Sequence, residues 1–261
     1  MPKQVRHDIF NEKTMEPEII FEDDNLIVIN KPAGMVVHQG AGEIGETTAD
    51  WLIRKYPEMK ERFGDDMRPG IVHRLDKMTS GILVCAKDPM TRAKLQAQFK
   101  NREVIKKYKT LVLGEMKPDH AVIESYISRD PRNRQIMKVQ SIAFAQGEQV
   151  IRNAITEYKT IKTFDYKLKK QPYLLSLLDI DLKTGRMHQI RAQMKYEGHP
   201  VIGDPDYFIK PSRKISQELG LERQFLHSYH IEFTHPETGE KLVLEADLPE
   251  DLKSVLEKIS K

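Results

Sequence analysis

The fold and the chemistry of this chain depend on residues 68–88, which read RPGIVHRLDKMTSGILVCAKD. Pro69-Gly70 predicts a turn, because proline presets one backbone angle and glycine frees the next. The apolar run 82–86 predicts a short buried strand. Asp76 lies between them, close to Arg74. The pattern fits a solvated loop, and it equally fits a carboxylate that the turn and strand fix for covalent or acid–base chemistry.

Composition restricts the class of protein. The 261 residues are 39% hydrophobic and 31% charged, which is typical of a soluble globular chain with one large or two small domains. No apolar run approaches the roughly 18 residues of a membrane span, and the polar N-terminus lacks the apolar core of a signal peptide. The single cysteine, Cys85, excludes an intramolecular disulfide and zinc-finger spacing. It favours the reducing cytoplasm.

The positive charge is concentrated in three groups within a nearly neutral chain. Lysine and arginine total 42, aspartate and glutamate total 39, and the net charge is +3. The three groups are Lys100, Arg102, Lys106, Lys107 and Lys109; Arg129, Arg132, Arg134 and Lys138; and Lys167, Lys169 and Lys170. Charge runs are usually solvated faces, but three of them also suit the phosphate backbone of a nucleic acid.

Apolar periodicity and turn residues predict many short strands and few helices. Residues 1–17 are predicted to be a flexible leader, and 18–261 a single domain. Strands are predicted at 19–21, 26–29, 82–86, 103–114, 153–164, 173–182, 225–233 and 241–246, with hairpins across 120–164 and a turn at Gly147-Glu148. Helices are predicted at 49–55 (capped by Thr47 or Thr48 and closed by Pro57), after Pro89, up to Tyr196 and from Pro249. The stretch 207–221 is predicted to be a polar loop with a short helical piece. The fold class is therefore α+β, a mixed, largely antiparallel central sheet with flanking helices.

Two further stretches contain candidate functional residues. The segment 184–191, TGRMHQIR, runs from a turn into a helix. On helical spacing, Met187, Ile190 and Met194 share a face that is predicted to be core, while Arg186 at the helix entrance can point into a cleft. Tyr108 lies on a predicted strand, where it is either core or a stacking platform for a nucleic-acid base.

These stretches, in this order, resemble the RluA family of RNA pseudouridine synthases. Residues 73–77, HRLDK, and 79–81, TSG, are similar to the family's catalytic motif. The segments similar to its other motifs are 21–35, 107–114, 184–191, 203–205, 226–227 and 235–239. The resemblance covers about 18–258, with departures at Met78, Met187 and the residues after Tyr207. The S4-like RNA-binding domain of many relatives is not expected here.

The resemblance implies an enzyme that isomerises uridine in structured RNA, either rRNA or tRNA, to pseudouridine after the base is flipped out of the helix. Asp76 would be the catalytic carboxylate. Tyr108 would pack against the uracil and is the candidate for assisting proton removal from C5. The reaction is a redox-neutral isomerisation, so neither a metal nor an organic cofactor is implied.

The resemblance also assigns residues around the carboxylate. Arg186 is the preferred partner that would hold Asp76 ionised and oriented, and Arg191 is its rival. Ile190 would form an apolar floor under the base, and Arg74 would enter the RNA stack. The other expected substrate-binding residues are His73, His188 and Lys107. Structured RNA is the only partner implied, and a monomer is the default.

Three alternatives are open at this point. The first is a non-catalytic RNA-binding or RNA-folding protein, which would not need a carboxylate such as Asp76 facing phosphates. The second is a metal-dependent hydrolase, although the histidines match no known ligand spacing; they are His188, His199, His227, His230 and His235. The third is a nucleophilic Cys85, which its apolar neighbours disfavour.

Overall fold

The computed structural model describes residues 16–40, 45–133, 135–140 and 152–261. Within them the chain forms the strands β1 (Glu18–Glu22), β2 (Leu26–Lys31), β3 (Ser80–Ala86), β4 (Ile105–Leu113), β5 (His120–Arg129), β6 (Met137–Gln140), β7 (Arg152–Leu168), β8 (Gln171–Leu182), β9 (Leu226–Thr234) and β10 (Lys241–Glu245). The helices are α1 (Thr48–Lys55), α2 (Glu58–Phe63), α3 (Pro89–Asn101), α4 (Gln189–Tyr196), α5 (Lys210–Leu219) and α6 (Glu250–Ile259). The predicted turn at Gly147-Glu148 and residues 1–15 of the predicted leader lie outside the described residues.

All of these strands join one sheet, in the order β1-β2-β3-β9-β4-β8-β7-β5-β6, with β10 also paired to β9. The pairing of β3 with β9 is parallel, and the other pairings are antiparallel. This confirms the predicted mixed, largely antiparallel α+β fold. Since β9 contacts β3, β4 and β10, it lies where the N-terminal and C-terminal halves of the chain meet.

The sheet is covered on both faces. Alternate residues of β2 point in opposite directions, so Ile27 and Ile29 enter one apolar cluster while Leu26 and Val28 enter another. The larger cluster includes buried side chains of α1, α2, α4, α5 and α6, and the smaller one includes Leu95 of α3. Each fully buried aliphatic side chain contributes about 1.5–3 kcal/mol relative to exposure.

Two helices differ from the sequence-based expectation. Pro57 follows the end of α1 at Lys55, as predicted, but it also precedes α2, which was not predicted; proline is tolerated at a helix start. The stretch 207–221 was expected to be a polar loop with a short helical piece, and that piece is the ten-residue helix α5, which buries Ile215 and Leu219 and ends before Gly220. Gly220 has a φ of 71°, typical of a glycine that terminates a helix.

The close approach of β3 and β9 depends on Gly81. Its φ is 116°, and a Cβ atom at this position would lie 2.1 Å from the carbonyl oxygen of Ser228. Gly81 pairs with Ser228, and Ser228 pairs in turn with Tyr108 of β4. This contact therefore brings the segment that contains Asp76 next to the strand that contains Tyr108.

None of the helices in the described part of the chain combines the length and the apolar composition that a bilayer-crossing helix needs.

Candidate active site

A cavity of about 540 Å³ opens where the segment before β3 meets β4 and the start of α4. The predicted site residues that line it are His73, Arg74, Asp76, Tyr108, Arg186, His188, Ile190 and Arg191. Lys100, Arg102 and Lys106 of the first basic group line the same cavity. Ile190 is 4% exposed and supplies apolar surface. The structure thus brings together most of the residues that were separate in the sequence.

Asp76 lies in a turn immediately before β3. Its backbone oxygen accepts a hydrogen bond from the Thr79 amide at 3.0 Å, and the next carbonyl, of Lys77, accepts one from the Gly34 amide at 2.9 Å. The carboxylate is 19% exposed. Its Oδ2 atom lies 3.3 Å from Arg191 Nη1 and 3.9 Å from His188 Nε2. Asp76 is therefore held by its backbone and presents a half-buried carboxylate to the cavity.

Arg191, not Arg186, pairs with Asp76. The Arg191 guanidinium makes two parallel hydrogen bonds to Asp204, from Nε at 2.7 Å and from Nη2 at 2.9 Å. Nη2 also donates to Asp206 at 2.7 Å. Although burial opposes it, the hydrogen bonds and charge of Asp204, with the charge of Asp76, raise the pKa of Arg191 above its ordinary value. The Arg191 cation is thus permanent and fixed in orientation.

The preference for Arg186 was wrong because α4 begins later than expected. Arg186 lies three residues before the first residue of α4, in a loop where its Nε donates to the Asn153 carbonyl at 3.0 Å. The Gln189 side chain holds this loop by accepting from the Arg186 amide at 3.0 Å. Met187 is likewise outside the helix and lines the cavity, so it was wrongly predicted to be core.

Lys107, predicted to bind substrate, is not among the residues that line this cavity. Neighbouring residues of a strand point to opposite faces, so Lys106 and Tyr108 share one face and Lys107 lies on the other. Lys106 is 8% exposed and lies over the Phe99 ring, with Nζ 5.4 Å from the ring centroid. The cation near Tyr108 is therefore Lys106.

Tyr108 is 6% exposed and faces the cavity. Burial, together with the charge of Asp76, raises the pKa of Tyr108 to about 12, while a hydrogen bond with Ser228 opposes the shift. The phenol is therefore protonated at neutral pH. Its aromatic ring lines the same cavity as Asp76, and its hydroxyl hydrogen-bonds with Ser228.

Lys31 is a fully buried lysine beside the Asp76 turn. Its Nζ donates to the carbonyls of Pro32 at 2.8 Å, Met35 at 2.9 Å and Lys77 at 3.2 Å. Burial lowers the pKa of Lys31 to about 7, while the charge of Asp76 acts in the opposite direction. Lys31 therefore ties the N-terminal strands to the turn that presents the carboxylate.

His188 precedes α4 in a left-handed conformation, with a φ of 52°. Such a backbone is uncommon for a residue other than glycine and concentrates at functional sites. Its Nδ1 lies 3.2 Å from the Tyr207 hydroxyl, and burial lowers the pKa of His188. Tyr207 in turn accepts from the Met137 amide at 2.5 Å. The neutral imidazole therefore links the Asp76 carboxylate to the loop that contains Asp204.

His73 is a structural residue at the edge of the cavity. Its Nε2 accepts from the Val84 amide at 3.0 Å, and its ring stacks on Phe99 with centroids 4.5 Å apart. Burial, with the charge of Lys106, lowers the pKa of His73 to about 3. His73 is therefore neutral in the folded protein across the physiological range.

This neutral histidine predicts a pH-dependent stability. The unfolded chain protonates His73 near pH 6.5 and the folded chain near pH 3, so the unfolded state binds more protons between them. The stabilisation that neutral His73 contributes is fully present above pH 6.5. It is lost progressively as the pH falls from about 6.5 to about 3. We expect the free energy of unfolding to fall between pH 7 and pH 5 by up to about 2 kcal/mol more in wild type than in His73→Gln. Urea titrations at both pH values measure this, and equal losses in the two proteins would contradict it.

The remaining candidates do not form a second site. The described residues contain no group of three or more histidine, cysteine, aspartate or glutamate side chains that could hold a metal ion. His227 bonds to Ser80 and His235 to Asp23, which are contacts within the fold. Cys85 is fully buried, and burial raises the pKa of its thiol to about 12, which disfavours nucleophilic chemistry.

Sequence reasoning missed Asp204, Lys31 and Lys106. Asp204 was included only in the motif-like segment 203–205 and was given no role, because nothing in the sequence shows that this segment folds back onto α4. Lys31 was quoted as part of a motif without a role. Lys106 could have been found, because its spacing of two from Tyr108 places both on one face of the predicted strand.

Three comparisons relate this geometry to known proteins. The family model described as RNA pseudouridylate synthase matches residues 25–196. A protein of Chlorobaculum parvum named an uncharacterized RNA pseudouridine synthase is 40% identical over 253 residues, covering 92% of this chain and 73% of that one. Ribosomal large subunit pseudouridine synthase D of Zymomonas mobilis is 37% identical over 238 residues, covering 90% and 70%. The structure of human RNA pseudouridylate synthase domain containing 4 superposes with a TM-score of 0.69 at 25% identity, covering 93% of both chains.

Proposed function

The chain belongs to the RluA-type RNA pseudouridine synthases, and from this we propose that Asp76 is the catalytic carboxylate for a uridine of large-subunit ribosomal RNA. The observation that supports the catalytic role is the pairing of Asp76 with the buried Arg191 in a cavity that Tyr108 also lines. The choice of RNA follows the name of the Zymomonas mobilis relative. Transfer RNA is the other outcome of the test.

The reaction breaks the bond between N1 of uracil and C1′ of ribose and forms a bond between C5 and C1′. A proton leaves C5 and N1 gains one, so atoms balance and no electron acceptor is needed. A base inside a duplex is out of reach, so the uridine is flipped out into the cavity. Asp76 acts during detachment of the base, Ile190 forms the apolar floor, and the exposed Arg74 enters the space that the base leaves in the stack.

Arg191 is a positioning residue in this scheme. It contacts Asp76 through Nη1, while its other nitrogens are held by Asp204 and Asp206. A preorganised ion pair of this kind costs no reorganisation during the reaction. The same arrangement keeps the Asp76 carboxylate from turning toward solvent.

The test of the proposed function is pseudouridine mapping, by carbodiimide labelling and sequencing, of total RNA with and without this gene. We expect the loss of a modified site in large-subunit rRNA, restored by the wild-type gene. Loss of a modified site in transfer RNA would replace rRNA by tRNA as the proposed target and would retain the proposed enzymatic activity. No lost site, combined with retained RNA binding, would favour the non-catalytic RNA-binding alternative.

Tyr108 provides a prediction that separates packing from proton transfer. Tyr108→Phe keeps the ring but removes the hydroxyl, and a positioned acid–base group contributes about 10²–10⁴-fold. We expect Tyr108→Phe to lower kcat by about 10²-fold with little change in KM, because ring packing is preserved. Tyr108→Leu removes the flat ring as well and is expected to raise KM. Single-turnover assays on an unmodified rRNA transcript measure both, and a phenylalanine variant with wild-type kcat would exclude the proton-transfer role.

A further inference from the structure

A second cavity of about 680 Å³ adjoins the first. The two share a wall formed by Arg74, Gly185, Arg186 and Met187, which line both. Apolar side chains, among them Ile127 and Met137, contribute to the remaining wall of the second cavity. The volume lies within the range of pockets that hold a compound of nucleotide size. The second cavity is thus large enough for one nucleotide and is continuous with the catalytic cavity.

Arg186 lies in the shared wall with no anionic partner among the described residues. It is half-buried, and burial together with the positive charges of Arg152 and Arg102 lowers its pKa. Within the described ranges its side chain bonds through Nε to the Asn153 carbonyl, and no carboxylate pairs with it. A partly desolvated cation among other cations is unfavourable unless an anion joins it. The arrangement therefore selects an anionic ligand such as a phosphate.

The loop that contains Arg186 is fixed before any ligand arrives. The Gln189 side chain accepts from the Thr184 hydroxyl at 2.8 Å and from the Arg186 amide at 3.0 Å, and it donates to the Ile155 carbonyl at 3.1 Å. Gln189 is 3% exposed, so these bonds are shielded from water. A guanidinium on a preorganised loop loses little entropy on binding.

Among the described residues, Asp130 is the acidic residue that lines the second cavity. Its single negative charge does not balance the positive charges of the arginines there. Asp130 Oδ1 accepts from the Arg132 amide at 2.8 Å and from the Asn133 amide at 3.4 Å. Arg74 and Arg152 line the cavity together with Arg186. The balance of charge is therefore positive, which suits a phosphodiester.

We propose that the second cavity binds the nucleotide adjacent to the target uridine, and that Arg186 binds the phosphate that joins the two. This inference rests on the proposed function, because it places the target uridine in the first cavity. A phosphate bound at the shared wall lies where it can join a nucleotide in one cavity to a nucleotide in the other. Met137 and Met187 offer apolar surface to the base, and Arg186 contacts the backbone, which positions RNA without reading sequence.

The phosphate contact is tested by binding of fluorescein-labelled hexauridylate, measured by anisotropy at several salt concentrations. We expect Arg186→Gln to weaken binding by about tenfold and to reduce the salt slope by about one, because one phosphate contact is lost. Arg186→Lys keeps the charge and should bind more tightly than Arg186→Gln. The matched control is Arg213→Gln, an exposed arginine outside both cavities, which should bind as wild type does. Wild-type binding no tighter than that of Arg186→Gln would overturn the proposal.

The base contact is tested with a hexamer of abasic nucleotides, which keeps the phosphates and removes the bases. We expect Met137→Ala to weaken hexauridylate binding by about fivefold and to leave abasic-hexamer binding unchanged, since only the base contact is lost. Equal losses with both probes would show that Met137 does not contact a base and would overturn this part of the proposal. Thermal unfolding of each variant separates lost contacts from lost folding.

The outcomes separate this inference from the proposed function. Pseudouridine formed by the wild type, combined with unchanged hexauridylate binding by Arg186→Gln and Met137→Ala, would overturn the second site alone. Binding that depends on Arg186 and Met137, combined with no pseudouridine in any RNA, would overturn the proposed function and retain a two-nucleotide binding site.

Discussion

Asp76→Asn is expected to reduce pseudouridine formation by at least about 10³-fold while leaving RNA affinity within about threefold of wild type. Asparagine has nearly the same shape as aspartate and keeps an oxygen that can accept from Arg191 Nη1, so the surrounding structure should persist. It lacks the negative charge and the nucleophilic or basic oxygen that detachment of the base requires. The loss should therefore appear in kcat and not in binding.

The measurement is carbodiimide mapping of an unmodified rRNA transcript after incubation with each protein, with anisotropy for binding. The matched control is Asp206→Asn, because Asp206 also accepts from Arg191 but does not line the cavity. Asp206 is 42% exposed, so its loss should change product yield only a few-fold. A product yield for Asp76→Asn within threefold of wild type would contradict the catalytic assignment.

A second outcome is that the wild-type protein binds the rRNA transcript but never modifies it. It would favour the non-catalytic RNA-binding alternative, or a different RNA. Total RNA mapped with and without the gene distinguishes these two, because a lost site in any RNA identifies an enzyme.

The sequence predicted the sheet well because its strands are marked by apolar runs between turn residues. The run 82–86 lies in β3, whose residues are all buried, and the alternating strand around Tyr108 is β4. Local pattern was sufficient at these places because each strand is half or fully buried. Of the helices, α2 was missed and α5 was predicted only as a short piece. Both are largely polar and begin at or next to a proline, which obscured their starts.

The site was predicted less completely, and the reason is geometric. Choosing between Arg186 and Arg191 depends on where α4 begins and on where the Asp204 turn lies in space. Neither follows from local pattern, because helix boundaries are uncertain by several residues and the Asp204 contact is tertiary. The position of Lys107 outside the cavity follows from a simpler rule, since strand alternation already places Lys106, and not Lys107, on the face of Tyr108.

The three basic groups of the sequence show the same limit of local pattern. The first cavity is lined by Lys100, Arg102 and Lys106 of the first basic group. The second cavity is lined by Arg129 of the second group. Arg134 lies outside the described residues. Lys169 and Lys170 form the turn between β7 and β8, and neither lines the two cavities. Clustering in the sequence therefore identified two basic groups whose members line the two cavities. It did not show which of the three groups the fold would place there.

Arg191→Met is expected to have the second large effect, on both stability and activity. Arg191 is 3% exposed, and the Asp204 side chain that it contacts is fully buried. Methionine fills similar volume but leaves Asp204 as a buried carboxylate without its cation, which costs about 3–5 kcal/mol of folding free energy. Asp76 loses its positioning contact at the same time, so activity should fall even in the molecules that fold.

A double variant separates the two effects. In Arg191→Met with Asp204→Asn, the buried charge is absent, and the introduced amide oxygen can still accept from the amides of Asp206 and Tyr207 that Asp204 Oδ1 now holds at 2.9 Å. We expect the double variant to regain most of the lost stability in urea titrations but not the activity, because the contact to Asp76 is still missing. The matched control, Arg186→Met, should retain stability, because no carboxylate in the described part of the chain depends on Arg186. An Arg191→Met protein with wild-type stability and product yield would contradict the pairing, and recovery of activity in the double variant would reduce Arg191 to a purely structural role.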